Sequence, residues 1–283
     1  MSNILIAEGT PASWQAGRRD FGLPSNFSLC AAALRLHRPD IRCTALNIAD
    51  GEPFPFGATL ADFDGVVIPG SPLHVYDQMP AVTRQIEFAR AAFAAGVPVW
   101  GSCWGLQLAT VALGGWVRRN PRGRELPIAR AVTLTDTGRM HPLLSSRPPV
   151  FDALCSHVDE IETLPPNAVV LAANELSAVQ AMAARTPRGG SFFGTQYHPE
   201  HTLAVSAALM ELRAAELVEE GFAINPAEIA AMADDFRTLA AAPPRRNLIW
   251  RYGIASEIID PVRRTAEIGK WLEIVVEARR LMA

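Results

Sequence analysis

Lysine is almost missing from this chain. Of its 26 basic residues only Lys270 is a lysine, so nearly all the positive charge is arginine. Schiff-base chemistry would rest on that one residue, which falls in a C-terminal stretch patterned as an amphipathic helix. A Walker-type phosphate loop needs Gly-Lys-Ser/Thr, whereas Gly269-Lys270 runs into Trp271. Both observations argue against pyridoxal enzymes and P-loop ATPases. Cysteine is scarce as well. Cys30, Cys43, Cys103 and Cys155 show no paired spacing, so neither a disulfide framework nor a metal site is expected. Excess charge is lacking too: a net charge of −3 leaves no electrostatic footprint for nucleic acid. The start, Met1-Ser-Asn-Ile-Leu-Ile-Ala-Glu8, has no basic n-region. The uncharged run from Ala91 to Val117 is interrupted by Gly96, Pro98, Gly101, Gly105, Gly114 and Gly115. That punctuation suits a strand, a turn and a helix better than a membrane span. The expectation is a cytoplasmic protein without membrane or nucleic-acid partners.

What is present is apolar and patterned. Of 283 residues 49% are hydrophobic, enough for a sizeable core in one large domain or a domain with a small appendage. Up to about residue 200, short β-branched runs alternate with helical patterns, as in an α/β sheet. Strands are expected at Asn3–Ala7, Cys43–Ile48, Asp64–Ile68 and Val97–Trp100, with a helix at Asn26–Leu36. Val82, Ile86, Ala89 and Phe93 recur at helical spacing. Later runs read as paired antiparallel strands at Ala131–Thr135, Val150–Ser156, Ala168–Ala173, Ser177–Ala183 and Phe192–Tyr197. Thr202–Glu220 reads as one helix. Gly221 and Asn225-Pro226 then mark a boundary, giving a domain at 1–222 and a helical extension at 223–283. The extension is expected to break at Ala242–Asn247, and its last helix carries Ile268, Trp271, Leu272 and Val275 on one face.

The informative stretch is Val97-Pro-Val-Trp-Gly101-Ser-Cys103-Trp-Gly105-Leu-Gln107. A buried strand runs into Gly-x-Cys-x-Gly and then a helix, the cysteine counterpart of the Gly-x-Ser-x-Gly elbow. The nucleophile of such an elbow sits on a strained turn, and flanking glycines are needed because a Cβ there would strike the neighbouring strand and helix. The turn lifts the sulfur of Cys103 above the C-terminal edge of the sheet, where open α/β folds bind ligands. It also aims the positive end of the next helix at the sulfur, which favours a thiolate, and offers the Trp104 N–H to a developing oxyanion.

A cysteine nucleophile needs a base, and the base needs an orienting group. Gly194-Thr-Gln-Tyr-His198-Pro-Glu200 closes the last expected sheet strand. His198 and Glu200 lie two apart at a strand end, so their side chains share one side of the chain, and Pro199 stiffens the step between them. A second oxyanion donor is the Gly70 N–H in Pro69-Gly-Ser-Pro72, a rigid loop after the third strand. One preorganised donor of this kind contributes about 3 kcal/mol to transition-state stabilisation.

Taken together, Gly101-Ser-Cys-Trp-Gly-Leu-Gln107, Gly194-Thr-Gln-Tyr-His-Pro-Glu200 and Pro69-Gly-Ser-Pro72 resemble the signatures of class I (triad-type) glutamine amidotransferases. The nearest likeness is to the amidotransferase domain of GMP synthase, to which Gly70–Asp77 and Ser156-His-Val-Asp159 are also similar. The resemblance implies a flavodoxin-like open mixed sheet flanked by helices, with the helical extension added. It implies Cys103 as nucleophile, His198 as general base and acid, and Glu200 as orienting carboxylate. Gly70 and Trp104 would form the oxyanion hole, while Gln107, Ser156 and His157 would hold the amino-acid end of the substrate. No metal or organic cofactor is required for this chemistry. The Ser-Gly-Gly-x-Asp-Ser loop of the GMP synthase ATP-binding domain has no counterpart here, so activation of an acceptor is not expected of this chain. Three functions follow: a glutaminase passing ammonia to a separate synthetase, a stand-alone γ-glutamyl hydrolase or peptidase, and a silent binding module, against which the complete Cys-His-Glu set argues. The extension has three open roles, namely packing on its own domain, forming a homo-oligomer, or docking a synthetase.

Overall fold

The computed structural model describes residues 2–241 and 245–278. Its first half is a parallel layer in which β1 (Asn3–Glu8), α1 (Ala12–Asp20), α2 (Asn26–His37), β2 (Arg42–Asn47), β3 (Gly65–Ile68), α3 (Pro80–Ala94), β4 (Val99–Ser102) and α4 (Trp104–Ala112) follow in order. β1 pairs parallel with β2 and β3, and β3 with β4. Strands covered on both faces read as unbroken apolar runs, and every residue of β3 and β4 is buried. Along β1 the side chains alternate: Ile4 and Ile6 enter one core with α2, while Leu5 and Ala7 enter the other with α3 and α4.

After α4 come β5 (Trp116–Arg119), β6 (Ile128–Leu134), α5 (Asp136–Met140), β7 (Val150–Leu154), β8 (Asp159–Thr163), β9 (Ala168–Ala173), β10 (Ala181–Arg185) and β11 (Ser191–Thr195). The main sheet has nine strands in the order β2-β1-β3-β4-β11-β10-β9-β6-β7. Helices flank this mixed, flavodoxin-like sheet. The expected antiparallel character holds for β6, β7, β9 and β10. β11 differs. It turns back antiparallel to β10 and thereby runs parallel to β4 on its other edge, with Thr195 opposite Ser102. That register brings the end of the last strand beside the elbow.

Several boundaries depart from the sequence pattern for local reasons. α1 has no buried side chain, so hydrophobic periodicity gives no sign of it. β5 and β8 form a separate ribbon in which Arg118 reaches Glu160 at 3.0 Å and Glu162 at 2.6 Å, so charge masks the strand. The strand expected at Val97–Trp100 runs Val99–Ser102, because its ladders to Val66 and Phe192 begin at Val99. That expected at Ser177–Ala183 begins at Ala181, since the Ser177 N–H donates to Asn174 Oδ1 at 2.8 Å in a preceding turn. The helix expected at Thr202–Glu220 is two, α6 (Leu203–Leu212) and α7 (Ala214–Glu219), broken at Arg213 with φ −107° and ψ 15°.

The remaining helices are α8 (Pro226–Ala241), α9 (Arg246–Tyr252), α10 (Ser256–Ile259), α11 (Pro261–Arg264) and α12 (Ala266–Trp271). Of the break expected at Ala242–Asn247, residues 242–244 lie outside those described, and α9 already begins at Arg246. α8 packs on α6 around Met210, Ile229 and Phe236. α12 returns to the sheet, where Trp271 meets Trp100 edge-on at 6.2 Å and fills the space left by Gly65. A π turn at Leu272–Val276 follows, and with it Val276 enters the core while the half-buried Val275 packs against it. Among the described residues no helix is long and apolar enough to cross a membrane.

Glu267 of α12 is fully buried and carries the tightest link between extension and sheet. It accepts from Arg147 Nε at 3.0 Å and Nη2 at 2.8 Å, and from the Tyr197 hydroxyl at 2.8 Å. Removing one member of a buried ion pair strands the other charge without water. Glu267→Ala is therefore expected to cost about 3–5 kcal/mol of unfolding free energy, read from urea titration. A loss below about 1 kcal/mol, the scale of an exposed pair, would contradict this role.

Candidate active site

Two close approaches explain the glycines of the elbow. A Cβ on Gly101 would lie 2.5 Å from the Gly105 carbonyl carbon, and one on Gly105 would lie 2.1 Å from the Ile68 carbonyl oxygen. The strand, the turn and the helix therefore close-pack only without those side chains. Between them Cys103 adopts φ 49° and ψ −97°, strained for a residue with a Cβ. Its N–H donates to Thr195 O at 2.7 Å, and its carbonyl accepts the Gln107 N–H at 3.0 Å to start α4. The sulfur is buried and lies 4.0 Å from Ser156 O.

β11 delivers the imidazole. The His198 N–H donates to Leu154 O at 2.8 Å, and Nδ1 pairs with Glu200 Oε1 at 2.8 Å. The ring and the Cys103 sulfur line the same small void. Burial pushes the His198 pKa down, but the Glu200 charge and the hydrogen bonds to Cys103 and Glu200 outweigh it and carry the pKa up to about 10. His198 is thus an imidazolium at neutral pH. Glu200 is fixed in turn: its Oε2 accepts from Ser102 Oγ at 3.1 Å, and that hydroxyl accepts from the Trp100 indole N–H at 3.1 Å. The His201 ring stacks on His198 at 3.8 Å with the two planes nearly parallel. Burial, then the charge of His198, hold His201 well below the usual imidazole pKa, so this ring stays neutral.

The other anticipated residues converge on the same place. Gly70 rests against the imidazole, where a Cβ would come within 2.6 Å of Cε1, and its carbonyl accepts from Asn26 Nδ2 at 2.9 Å. Trp104 is the first residue of α4, and its indole N–H donates to Gln85 Oε1 at 2.8 Å. Gln107 and Ser156 line a cavity of about 550 Å³ opening from Cys103. His157 lines it too, but both ring nitrogens are occupied, Nε2 by Glu125 at 2.8 Å and Nδ1 by Asp159 O at 3.0 Å. Its ring therefore holds the Ser156 loop in place.

Further residues of the cavity come partly from those motif segments and partly from positions silent in the sequence pattern. Asp159 is clasped by His74 Nδ1 at 2.6 Å and the Tyr76 hydroxyl at 2.9 Å, joining the two segments that resemble GMP synthase. Trp14, from α1, lines the mouth, and Arg213 projects from the break between α6 and α7. A charged residue inside an apparently continuous helix carries no signal, and neither does a helix without a buried face.

Two groups among the described residues bring metal-type donors within 4.8 Å of one another: His198, Glu200 and His201, and Glu125, Cys155 and His157. In both, the donor atoms are largely spent on one another or on neighbours. Glu125 also accepts from Asn174 and Gln180, and His198 is engaged with Glu200 and Cys103. The Cys103 sulfur, the His198 imidazole and the Glu200 carboxylate are neighbours in the site.

Comparison with known proteins places this geometry. The glutamine amidotransferase class-I family profile matches residues 37–214. The γ-glutamyl-L-1-hydroxyisopropylamide hydrolase of a Pseudomonas species is 36% identical over 281 residues, covering 96% of this chain and 92% of that protein. The glutamine-hydrolysing GMP synthase of Salmonella typhimurium is 32% identical over 151 residues, 51% of this chain but 27% of the synthase. Among solved structures, a glutamine amidotransferase of Thermotoga maritima superposes with a TM-score of 0.62 at 17% identity, covering 95% of this chain and 98% of that one. One from Methylobacillus flagellatus gives 0.55 at 22% identity, with coverage of 99% and 94%. These two likenesses speak for the fold.

The charge state of His198 sets a pH-dependent expectation. Below about pH 10 the imidazolium favours a negative sulfur, and above it that advantage is gone. Iodoacetamide alkylation of Cys103, followed by peptide mass spectrometry, should be slower in His198→Ala at pH 7, because the substitution removes the positive partner of the sulfur. The gap should close as pH passes 10. Equal rates at pH 7 would break the pairing.

Proposed function

This chain belongs to the class I glutamine amidotransferase family and is an amide-hydrolysing enzyme, and from that premise we propose that it acts as a stand-alone hydrolase of γ-glutamyl amides. The observation that carries the proposal is the end-to-end match, extension included, to a hydrolase named for a γ-glutamyl amide. The GMP synthases match only over about a quarter of their own length.

In the proposed reaction the Cys103 sulfur attacks the γ-carbonyl carbon, and the oxyanion lies against the N–H groups of Gly70 and Trp104. His198 gives its Nε2 proton to the departing nitrogen as the C–N bond breaks, leaving a γ-glutamyl thioester and a free amine. The now neutral imidazole takes a proton from water, which attacks the thioester and releases glutamate and the thiolate. Glu200 holds the imidazole in register through Nδ1, and Ser102 holds Glu200. Gln107 and Ser156 receive the glutamyl end in the main cavity. The reaction needs no cofactor.

A second reading, glutamine as substrate with ammonia passed to a separate synthetase, draws on one observation. The void on the imidazole side of Cys103 has a volume of about 30 Å³, room for a group the size of ammonia. Glutamate release from glutamine and from γ-glutamyl-isopropylamide separates the two. The hydrolase reading predicts kcat/KM at least roughly tenfold higher for the isopropylamide, a difference of about 1.4 kcal/mol. Turnover of glutamine alone would establish the second reading. Cys103→Ala should lower either activity by at least about 10³-fold, and Glu200→Gln by less, since it misorients the base but spares the nucleophile. Full activity in Cys103→Ala would refute the nucleophile.

A further inference from the structure

Two arginines that the mechanism leaves unused converge beside the imidazole. Arg18 comes from α1 and Arg213 from the break between α6 and α7, and both border the small void together with Asn26, Gly70, His198 and Leu209. Ser71, Cys103, Ser156 and Arg213 line this void and the main cavity alike, so the two meet at the sulfur. The charges there are incompletely matched. Among the described residues the hydrogen-bond partner of Arg18 Nη2 is the amide oxygen of Asn26, at 3.3 Å. Arg213 Nη1 reaches Glu216 Oε2 at 3.2 Å, but Arg124 Nη2 already holds that carboxylate oxygen at 2.8 Å. Arg213 Nε is buried without a partner. Burial lowers the pKa of both guanidiniums; the Glu8 charge works against this at Arg18 and Glu216 at Arg213, while Arg213 pushes Arg18 down and Arg124 pushes Arg213 down. Two partly buried like charges, one with an unpartnered N–H, leave hydrogen-bonding capacity that an anion would satisfy. The fork of an arginine matches a carboxylate in particular.

The direction of the reaction says which carboxylate. His198 hands its proton to the departing nitrogen, so the substituent on that nitrogen lies on the imidazole side, while the glutamyl chain runs toward Gln107 and Ser156. Resting on the hydrolase reading above, we propose that the departing amine is an α-amino acid, making the substrates γ-glutamyl dipeptides, and that Arg18 and Arg213 grip its carboxylate. γ-Glutamyl-alanine and water then give glutamate and alanine. An amino acid needs more room than the void of about 30 Å³ provides. α1 supplies the Arg18 wall, has no buried side chain, and is tied by polar bonds, Ala12 N–H to Asp50 Oδ2 at 2.9 Å and Gln15 Nε2 to Thr10 O at 3.0 Å. Accommodating the amino acid would require this helix to move outward, a movement that uncovers no buried side chain of its own.

γ-Glutamyl-alanine and γ-glutamyl-isopropylamide differ by a carboxylate in place of a methyl on the departing side, and their ratio of kcat/KM tests the proposal. The expected ratio is above roughly 10 in the unaltered protein, and it should fall about 10- to 100-fold in both Arg213→Gln and Arg18→Gln, the scale of a hydrogen bond to a charged group. Arg18 sits on a helix without core contacts, so its variant reads out even if Arg213→Gln fails to fold. A ratio near one in the unaltered protein overturns the proposal. So does a variant in which both substrates slow equally, which would place the arginines on the glutamyl carboxylate or in the scaffold. Turnover of glutamine with neither amide cleaved also overturns it, yet leaves Cys103 as the nucleophile. Loss of all three reactions would instead sink the reading of the site.

Discussion

The backbone at Cys103 sits where few residues with a side chain go, and the molecule is arranged around keeping it there. Its φ of 49° and ψ of −97° carry strain on the order of 1–3 kcal/mol. The surrounding structure holds that strain from three sides. The N–H is tied to Thr195 of β11, the carbonyl begins α4, and the flanking glycines let β3 and α4 close in to contact distances no Cβ tolerates. The same turn that strains the backbone lifts the thiol out of the sheet and into the mouth of the cavity. Relaxing it would lower the sulfur into the core and separate it from the imidazole.

Legibility followed from whether chemistry left a periodic or spaced trace. The parallel strands read clearly because burial on both faces makes them continuous apolar runs. The Gly101/Cys103/Gly105 and His198/Glu200 spacings read clearly because close approach and hydrogen-bond reach permit few alternatives. Other features were silent. α1 lies on the surface with no buried stripe, yet it brings Trp14 and Arg18 to the site. Arg213 looks like any residue of an amphipathic helix, and only the break at that position turns it toward Cys103. The His157 motif was legible as a place but not as a role, because its ring turns inward to Glu125 and leaves the loop backbone to face the cavity. The π turn after Trp271 could not be foreseen from a pattern that assumes a uniform helix.

The C-terminal helices are tied to the site along two lines. Glu267 binds the hydroxyl of Tyr197, the residue immediately before His198. Trp271 packs against Trp100, whose indole N–H holds Ser102, and Ser102 holds Glu200. Both the imidazole and its carboxylate are therefore braced by residues beyond the matched family segment of 37–214. This bracing gives a physical reason why the similarity to the Pseudomonas hydrolase extends through the tail. A bracing segment need not be a docking segment. Its buried charge and its tryptophan already have partners within the chain.

In the proposed mechanism the Cys103 sulfur at the elbow attacks a γ-glutamyl carbonyl. A diazoketone analogue of glutamine probes this step, because its electrophilic carbon takes the place of the γ-carboxamide. One covalent label per chain is expected, mapped by peptide mass spectrometry to Cys103, with activity lost in proportion to labelling and labelling slowed by added glutamate. Inactivation with the label on Cys43 or any other residue would contradict it, as would stoichiometric labelling of Cys103 in a protein that keeps its full activity.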